Sequence, residues 1–238
     1  MFERTGWYSP ALGRHMEVRV HGWGGARLIV FPTTMGSVHE WADRGMLHAI
    51  AEPLGRGWLQ VFAVSSADDQ SWYARHRHPH ERARGQERYE RYIVDELVPF
   101  TQWRNRNPFC ITAGASFGAY HAVTLALRHP HLFHRAIGMS GLYDITRSTG
   151  GWQDDLVYRH NPCAFIPNEH DWGRLDALRR LDLILAIGRD DGLRDSNERL
   201  SGALWSKGIG NALRVWDGFA HDWPVWQRML PMYVSGHD

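Results

Sequence analysis

Phe109-Cys110-Ile111-Thr112-Ala113-Gly114-Ala115-Ser116-Phe117-Gly118-Ala119-Tyr120 is the stretch whose reading decides the fold. Its first five residues form a short apolar run suited to a buried strand. Gly-x-Ser-x-Gly follows, and residues 119–127 are apolar and helix-forming. A serine set in a strand–turn–helix in this way reads as a nucleophile elbow. The residue types have a chemical reason. A serine hydroxyl is a weak nucleophile and must stand in the open where a base can reach it. The sharp turn that exposes it brings the flanking backbone together, which Gly114 and Gly118 permit because they lack a Cβ. The helix start behind Ser116 offers free N–H groups, so the N–H of Phe117 is expected to face a developing oxyanion. The bare pentapeptide also suits a tight turn that merely needs small residues; the strand before it and the helix after it favour the elbow.

Working outward, apolar runs predict strands at 14–20, 26–31, 58–64, 133–139, 181–187 and 212–216. Helical spacing predicts helices at 39–53, 86–105, 195–207 (capped by Asp195 or Ser196) and 223–233. Residues 65–85 read as a polar loop and 142–178 as irregular chain rich in Trp, Asp, Asn and Pro. Strands alternating with helices predict an α/β fold, a mostly parallel sheet with helices on both faces. No repeat or linker interrupts residues 1–238, which are expected to form one domain.

An open α/β sheet places its site at the carboxyl ends of its strands. Past the 181–187 run stands Gly188-Arg189-Asp190-Asp191, and past 212–216 stands Asp217-Gly218-Phe219-Ala220-His221-Asp222. The predicted set is therefore Ser116, Asp191 and His221, in the chain order of an α/β-hydrolase triad. Asp190 competes for the acid, with Gly-x-x-Asp spacing favouring Asp191. Phe117 and Thr34 are the expected oxyanion donors, Thr33 being the second choice. Among the 12 tryptophans, Trp72 and Trp223 are candidate substrate-binding residues, and core packing is the alternative for either. His76, His78 and His80 alternate among Arg75, Arg77, Arg82 and Arg84 without a nearby carboxylate pair. They predict a basic solvated loop rather than a metal site, with contact to an anionic substrate as the alternative. His121, His129 and His131 are expected at the surface or at helix ends.

Composition narrows the class. A net charge of +1 offers no field for nucleic acid, and 43% hydrophobic content marks a globular chain. Two cysteines supply neither a disulfide framework nor a zinc pattern, and Cys110 reads as a buried thiol. The apolar runs are too short to span a bilayer, and the first ten residues lack the apolar core of a secretory signal. A cytoplasmic enzyme acting on a small-molecule ester, without metal or other cofactor, is the expectation. Oligomeric state is not readable.

The sequence also resembles the putative-esterase (esterase D-like) branch of the α/β-hydrolase superfamily, which includes S-formylglutathione hydrolases, feruloyl and acetylxylan esterases and mycolyltransferases. The resemblance rests on residues 31–36, on Ser71-Trp72-Tyr73, on residues 114–122, on Ser140-Gly141-Leu142-Tyr143-Asp144, on Asn161-Pro162, and on His221-Asp222-Trp223-Pro224-Val225-Trp226. It implies Ser116 as nucleophile, His221 as base and Asp191 as the carboxylate that orients it. It further implies hydrolysis of a carboxylic ester, with acyl transfer on the same triad or an inert binding fold as the other readings. The short segment 145–178 leaves room for little or no lid.

Overall fold

The structure, a computed structural model, describes residues 2–235. Its eight strands are β1 (Phe2–Ser9), β2 (Arg14–His21), β3 (Ala26–Phe31), β4 (Leu59–Val64), β5 (Cys110–Ala115), β6 (Arg135–Met139), β7 (Asp182–Gly188) and β8 (Ala212–Trp216). They form one sheet in the order β1-β2-β4-β3-β5-β6-β7-β8. The strands from β4 to β8 in that order run parallel, and β1 and β2 pair antiparallel at one edge.

Alternation along the central strands divides the core. Ile29 and Phe31 join Tyr89, Tyr92, Val123, Leu183 and Leu200 on one face. Leu28 and Val30 join Trp41, Met46, Ile111, Met229 and Leu230 on the other. Successive strand side chains point to opposite faces, so both faces of the sheet are covered, as expected. Burial on both sides is also why these strands read as continuous apolar runs rather than alternating ones.

Four local features differ from the sequence reading. β1 has no clean hydrophobic alternation, because it is an edge strand paired only with β2, in register from Phe2 opposite His21 to Ser9 opposite Arg14. Its charges, such as Arg4 bonded to Glu17 at 2.9 Å, suit an exposed edge. The long helix begins at Pro79, not 86, with the Nδ1 of His78 accepting from the N–H of His80 at 3.3 Å. A polar sequence concealed this first stretch, although Arg82, Ala83, Gly85 and Gln86 are buried in it. The helix expected at 39–53 is three short ones, Glu40–Asp43, Met46–Ala49 and Ala51–Gly55, broken first at Gly45, whose φ is 70°. Neither Asp195 nor Ser196 caps the helix Arg194–Ser206; Leu193 holds the cap position and the Ser196 hydroxyl donates to the Leu193 carbonyl at 3.0 Å.

Between β6 and β7 the chain folds into short helical turns, several capped by aspartates (Asp144, Asp154, Asp171). Ile145, Leu156 and Val157 from this segment pack with Trp72, Phe117 and Tyr120 against the helix that follows Ser116.

Candidate active site

Ser116 sits between β5 and the helix Phe117–Arg128 with φ 54° and ψ −120°. A non-glycine residue held there costs on the order of 1–3 kcal/mol, which the surroundings must overcome. The Ser116 N–H donates to the Met139 carbonyl at 2.8 Å, tying the turn to β6. A Cβ on Gly114 would lie 2.2 Å from the backbone of Gly118, and one on Gly118 would lie 2.5 Å from the carbonyl oxygens of Phe31 and Pro32. Both glycines are thus required by close backbone approach.

The loops after β7 and β8 bring two more side chains to this serine. His221 Nε2 is 3.1 Å from Ser116 Oγ, and His221 Nδ1 is 2.8 Å from Asp191 Oδ2. Asp191 Oδ1 accepts from the Leu193 N–H at 2.9 Å, so the carboxylate is fixed on both oxygens. Its side chain is 2% exposed and that of His221 21%. Asp190 is exposed and meets the other loop only through its backbone, donating to the Gly218 carbonyl at 3.0 Å. The two loops can touch because residue 188 is glycine; a Cβ there would lie 2.0 Å from the Phe219 carbonyl oxygen.

A support that sequence reasoning missed stands behind His221. Ser140 (φ 54°) and Ala220 (φ 50°) both hold left-handed backbone. The Ser140 hydroxyl donates to the Ala220 carbonyl at 3.3 Å and accepts from the Trp226 indole at 3.1 Å. The Trp226 ring lies 5.3 Å from the His221 imidazole, and Phe219 stacks on it at 5.6 Å. Ser140-Gly141 at the end of β6 was the available signal, because that position faces the same carboxyl edge as the elbow.

The loop after β3 approaches Ser116 from the other side. Glu40 takes both the N–H of Thr33 (2.6 Å) and its hydroxyl (2.8 Å), and Asp68 takes the N–H of Met35 (2.7 Å). The N–H of Thr34, between them, has no protein partner among the described residues. Asp68 also meets His121 Nε2 at 3.1 Å, and this pair is buried to 1% exposure or less. His121 is therefore a core residue rather than the surface or helix-end one expected. Its place on the elbow helix turns it inward, toward a carboxylate supplied from residue 68. Neither Glu40 nor Asp68 carries a local sequence motif.

Trp72 is nearly fully buried, its indole donating to the Tyr120 hydroxyl at 3.0 Å. Trp223 is half-buried, edge-on to Trp226 at 5.0 Å and one layer behind His221, with the Arg44 guanidinium over its ring. His80 Nδ1 meets Asp154 at 2.7 Å. Among the described residues no group of three His, Cys, Asp or Glu side chains is placed to hold a metal ion. Burial pushes the Cys110 thiol up to about 11 and the Cys163 thiol to about 12, so neither is poised as a thiolate. A cavity of about 580 Å³ lies among residues such as His21, Trp23 and Leu54, at the amino ends of the parallel strands and away from Ser116.

Sheet order, elbow and the strand-end loops together define an α/β-hydrolase. The family model described as Putative esterase matches residues 61–235, most of the chain, and the chain belongs to that family. Ester hydrolysis is the reaction class that membership carries. Solved structures agree in fold. A ferulic acid esterase matches with a TM-score of 0.77 at 19% identity, over 98% of this chain and 95% of that one. The fluorophosphonate-binding serine hydrolase F of Staphylococcus aureus matches with 0.76 at 15% identity, over 99% and 97%. An S-formylglutathione hydrolase from Agrobacterium tumefaciens matches with 0.76 at 15% identity, over 100% and 94%. No curated protein matches the chain by sequence. No helix of the described residues is long and apolar enough to cross a membrane.

Proposed function

We propose that the protein is a serine carboxylic ester hydrolase that works through an acyl-serine intermediate on Ser116, His221 and Asp191. The observation that supports this is the unbroken line from Asp191 Oδ2 through both nitrogens of His221 to Ser116 Oγ, with steps of 2.8 and 3.1 Å. In the first half-reaction His221 Nε2 takes the Ser116 proton as Oγ attacks the ester carbonyl. Asp191 holds the Nδ1–H tautomer and stabilises the imidazolium that forms. The tetrahedral oxyanion is received by the N–H groups of Phe117 and Thr34. Thr34 is chosen over Thr33 because the Thr33 N–H is already given to Glu40. His221 then returns its proton to the leaving alkoxide. In the second half-reaction it activates water, and the same groups release the acid.

Ser116 is partly exposed, so water can reach the acyl group, which favours hydrolysis over transfer to another alcohol. Met35 and Phe219, both more than half exposed, stand beside the oxyanion loop and the base, and offer an apolar rim to the substrate. The test is turnover of p-nitrophenyl acetate, butyrate and octanoate with a fluorophosphonate label read by intact mass. One label per chain that disappears in Ser116→Ala, together with loss of turnover, supports the reading. Labelling or turnover that survives in Ser116→Ala overturns it.

A further inference from the structure

A second cavity, about 520 Å³, is walled by Trp72, Tyr73, Arg75, Arg82, Arg147 and Ser148. It adjoins the candidate active site through Tyr73. That hydroxyl lies 3.1 Å from Thr34 Oγ1 on the oxyanion loop, and its ring lies 5.1 Å from the ring of Phe117, the residue after the nucleophile. Half of the wall is arginine, drawn from three separate places: the 71–77 loop, the helix Pro79–Arg91 and the turn Ile145–Thr149.

None of these three arginines has an ion-pair partner among the described residues. The neighbouring acids are occupied elsewhere: Asp69 by Arg14, Glu81 by Arg84, Asp154 by His80 and Asp144 by Arg199. Arg82 is the telling one. It is only 8% exposed, and Nη1 donates to the carbonyls of Ser148 (2.6 Å) and Trp72 (3.4 Å). Its Nε is buried with no partner. Burial and then the like charge of Arg75 lower its affinity for its proton, as expected where positive charge gathers without a counter-ion. A buried guanidinium left unpaired is costly. Its planar fork, with two exposed arginines at the rim, matches a carboxylate better than any neutral group.

We propose that this cavity is the subsite for a carboxylate borne by the substrate, so that the enzyme acts on esters whose acyl or alcohol part is anionic. The proposal rests on the esterase reading of Ser116. Arg82 would ground the carboxylate while Arg75 and Arg147 close on it from the rim.

Two matched pairs of esters test this, compared by kcat/KM after subtraction of spontaneous hydrolysis. Mono-p-nitrophenyl adipate against p-nitrophenyl hexanoate probes an acyl-borne carboxylate. Para-acetoxybenzoate against para-acetoxybenzamide probes an alcohol-borne one. The expected result is a preference of about tenfold or more for the anionic member of one pair, shrinking as salt is raised. The pair that shows it tells which side of the ester the cavity holds. In the double variant Arg75→Gln/Arg147→Gln, whose side chains are exposed and make no ion pair, the ratio should fall to about one, chiefly through KM for the anionic ester. No preference in either pair, or a preference that survives in the double variant, overturns the proposal. If neutral esters are still hydrolysed and Ser116 still takes the fluorophosphonate, the esterase reading stands without it. Absence of both turnover and label removes the two together.

Discussion

Two histidine–carboxylate pairs lie near the elbow, and their surroundings are opposite in kind. His221 and Asp191 meet at 2.8 Å with the far nitrogen of the imidazole directed at Ser116. His121 and Asp68 meet at 3.1 Å in complete burial, with the far nitrogen near only the Gln86 amide at 3.4 Å. The first pair keeps a fifth of its histidine exposed, as the proposed proton exchange with a substrate requires. The second has no route to one, and its carboxylate instead holds the N–H of Met35, and so the shape of the oxyanion loop. The chemistry of the pair is the same. Access and the third partner separate the proposed base from a brace.

The comparison breaks most sharply at the nucleophile. Ser116→Ala and His221→Ala should each lower kcat/KM by about 10⁴-fold or more, with far-UV circular dichroism and Tm unchanged; activity near wild type in either would remove the first pair from catalysis. Asp191→Asn should cost about 10³-fold or more in kcat by loosening the imidazole tautomer, while Asp190→Asn should change it by less than about twofold. Equal losses in the two variants would mean that the acid loop as a whole, not one carboxylate, matters.

The second pair should fail in the other currency. Asp68→Ala leaves a buried histidine and the Met35 N–H unpaired. It should cost on the order of 3 kcal/mol, a Tm lower by about 6–12 °C for a chain of this size. Labelling of Ser116 should persist below the new Tm. A variant that keeps its Tm but loses labelling would move Asp68 into the chemistry.

A third such pair sharpens the contrast through pH. Buried His160 lies with Nδ1 3.5 Å from Glu90. Burial holds its imidazole down to about 3, outweighing the opposite pull of Glu90. Burial raises the Glu90 carboxyl, but hydrogen bonds from His129 and Arg128 outweigh it and hold the group at about 2. Unfolding frees both groups to take protons near their ordinary values. Stability should therefore fall as pH drops from about 6.5 toward 3 on account of His160, and from about 4.5 toward 2 on account of Glu90. Urea midpoints across this range check it, and His160→Gln should flatten the upper part of the decline. The smallest effect expected on stability is that of Trp72→Phe. It loses one buried hydrogen bond to Tyr120, about 1 kcal/mol and about 2–4 °C in Tm.

What could be read from the chain alone was whatever is encoded locally. The buried strands announce themselves because a strand covered on both faces needs an apolar residue at every position. The elbow is legible because its strained serine and two crowded glycines must be contiguous. Asp191 and His221 were found by a rule about strand ends, not by any contact. The charged edge strand β1, the helix turn starting at Pro79 and the inward-facing His121 were not legible, since each depends on a neighbour distant in sequence. The same holds for the braces. Glu40, Asp68, Ser140 and Trp226 act through hydrogen bonds that the backbone path creates, and the arginines of the cavity beside Tyr73 come from three segments that only folding brings together. Sequence alone determined seven of the eight strands, the elbow and the chain order of the three candidate side chains, because local propensity and steric demand write those directly. Only the tertiary structure decided which histidine can reach a hydroxyl and which carboxylate faces which loop, because hydrogen bonding across the sheet's carboxyl edge depends on distances that no local pattern records.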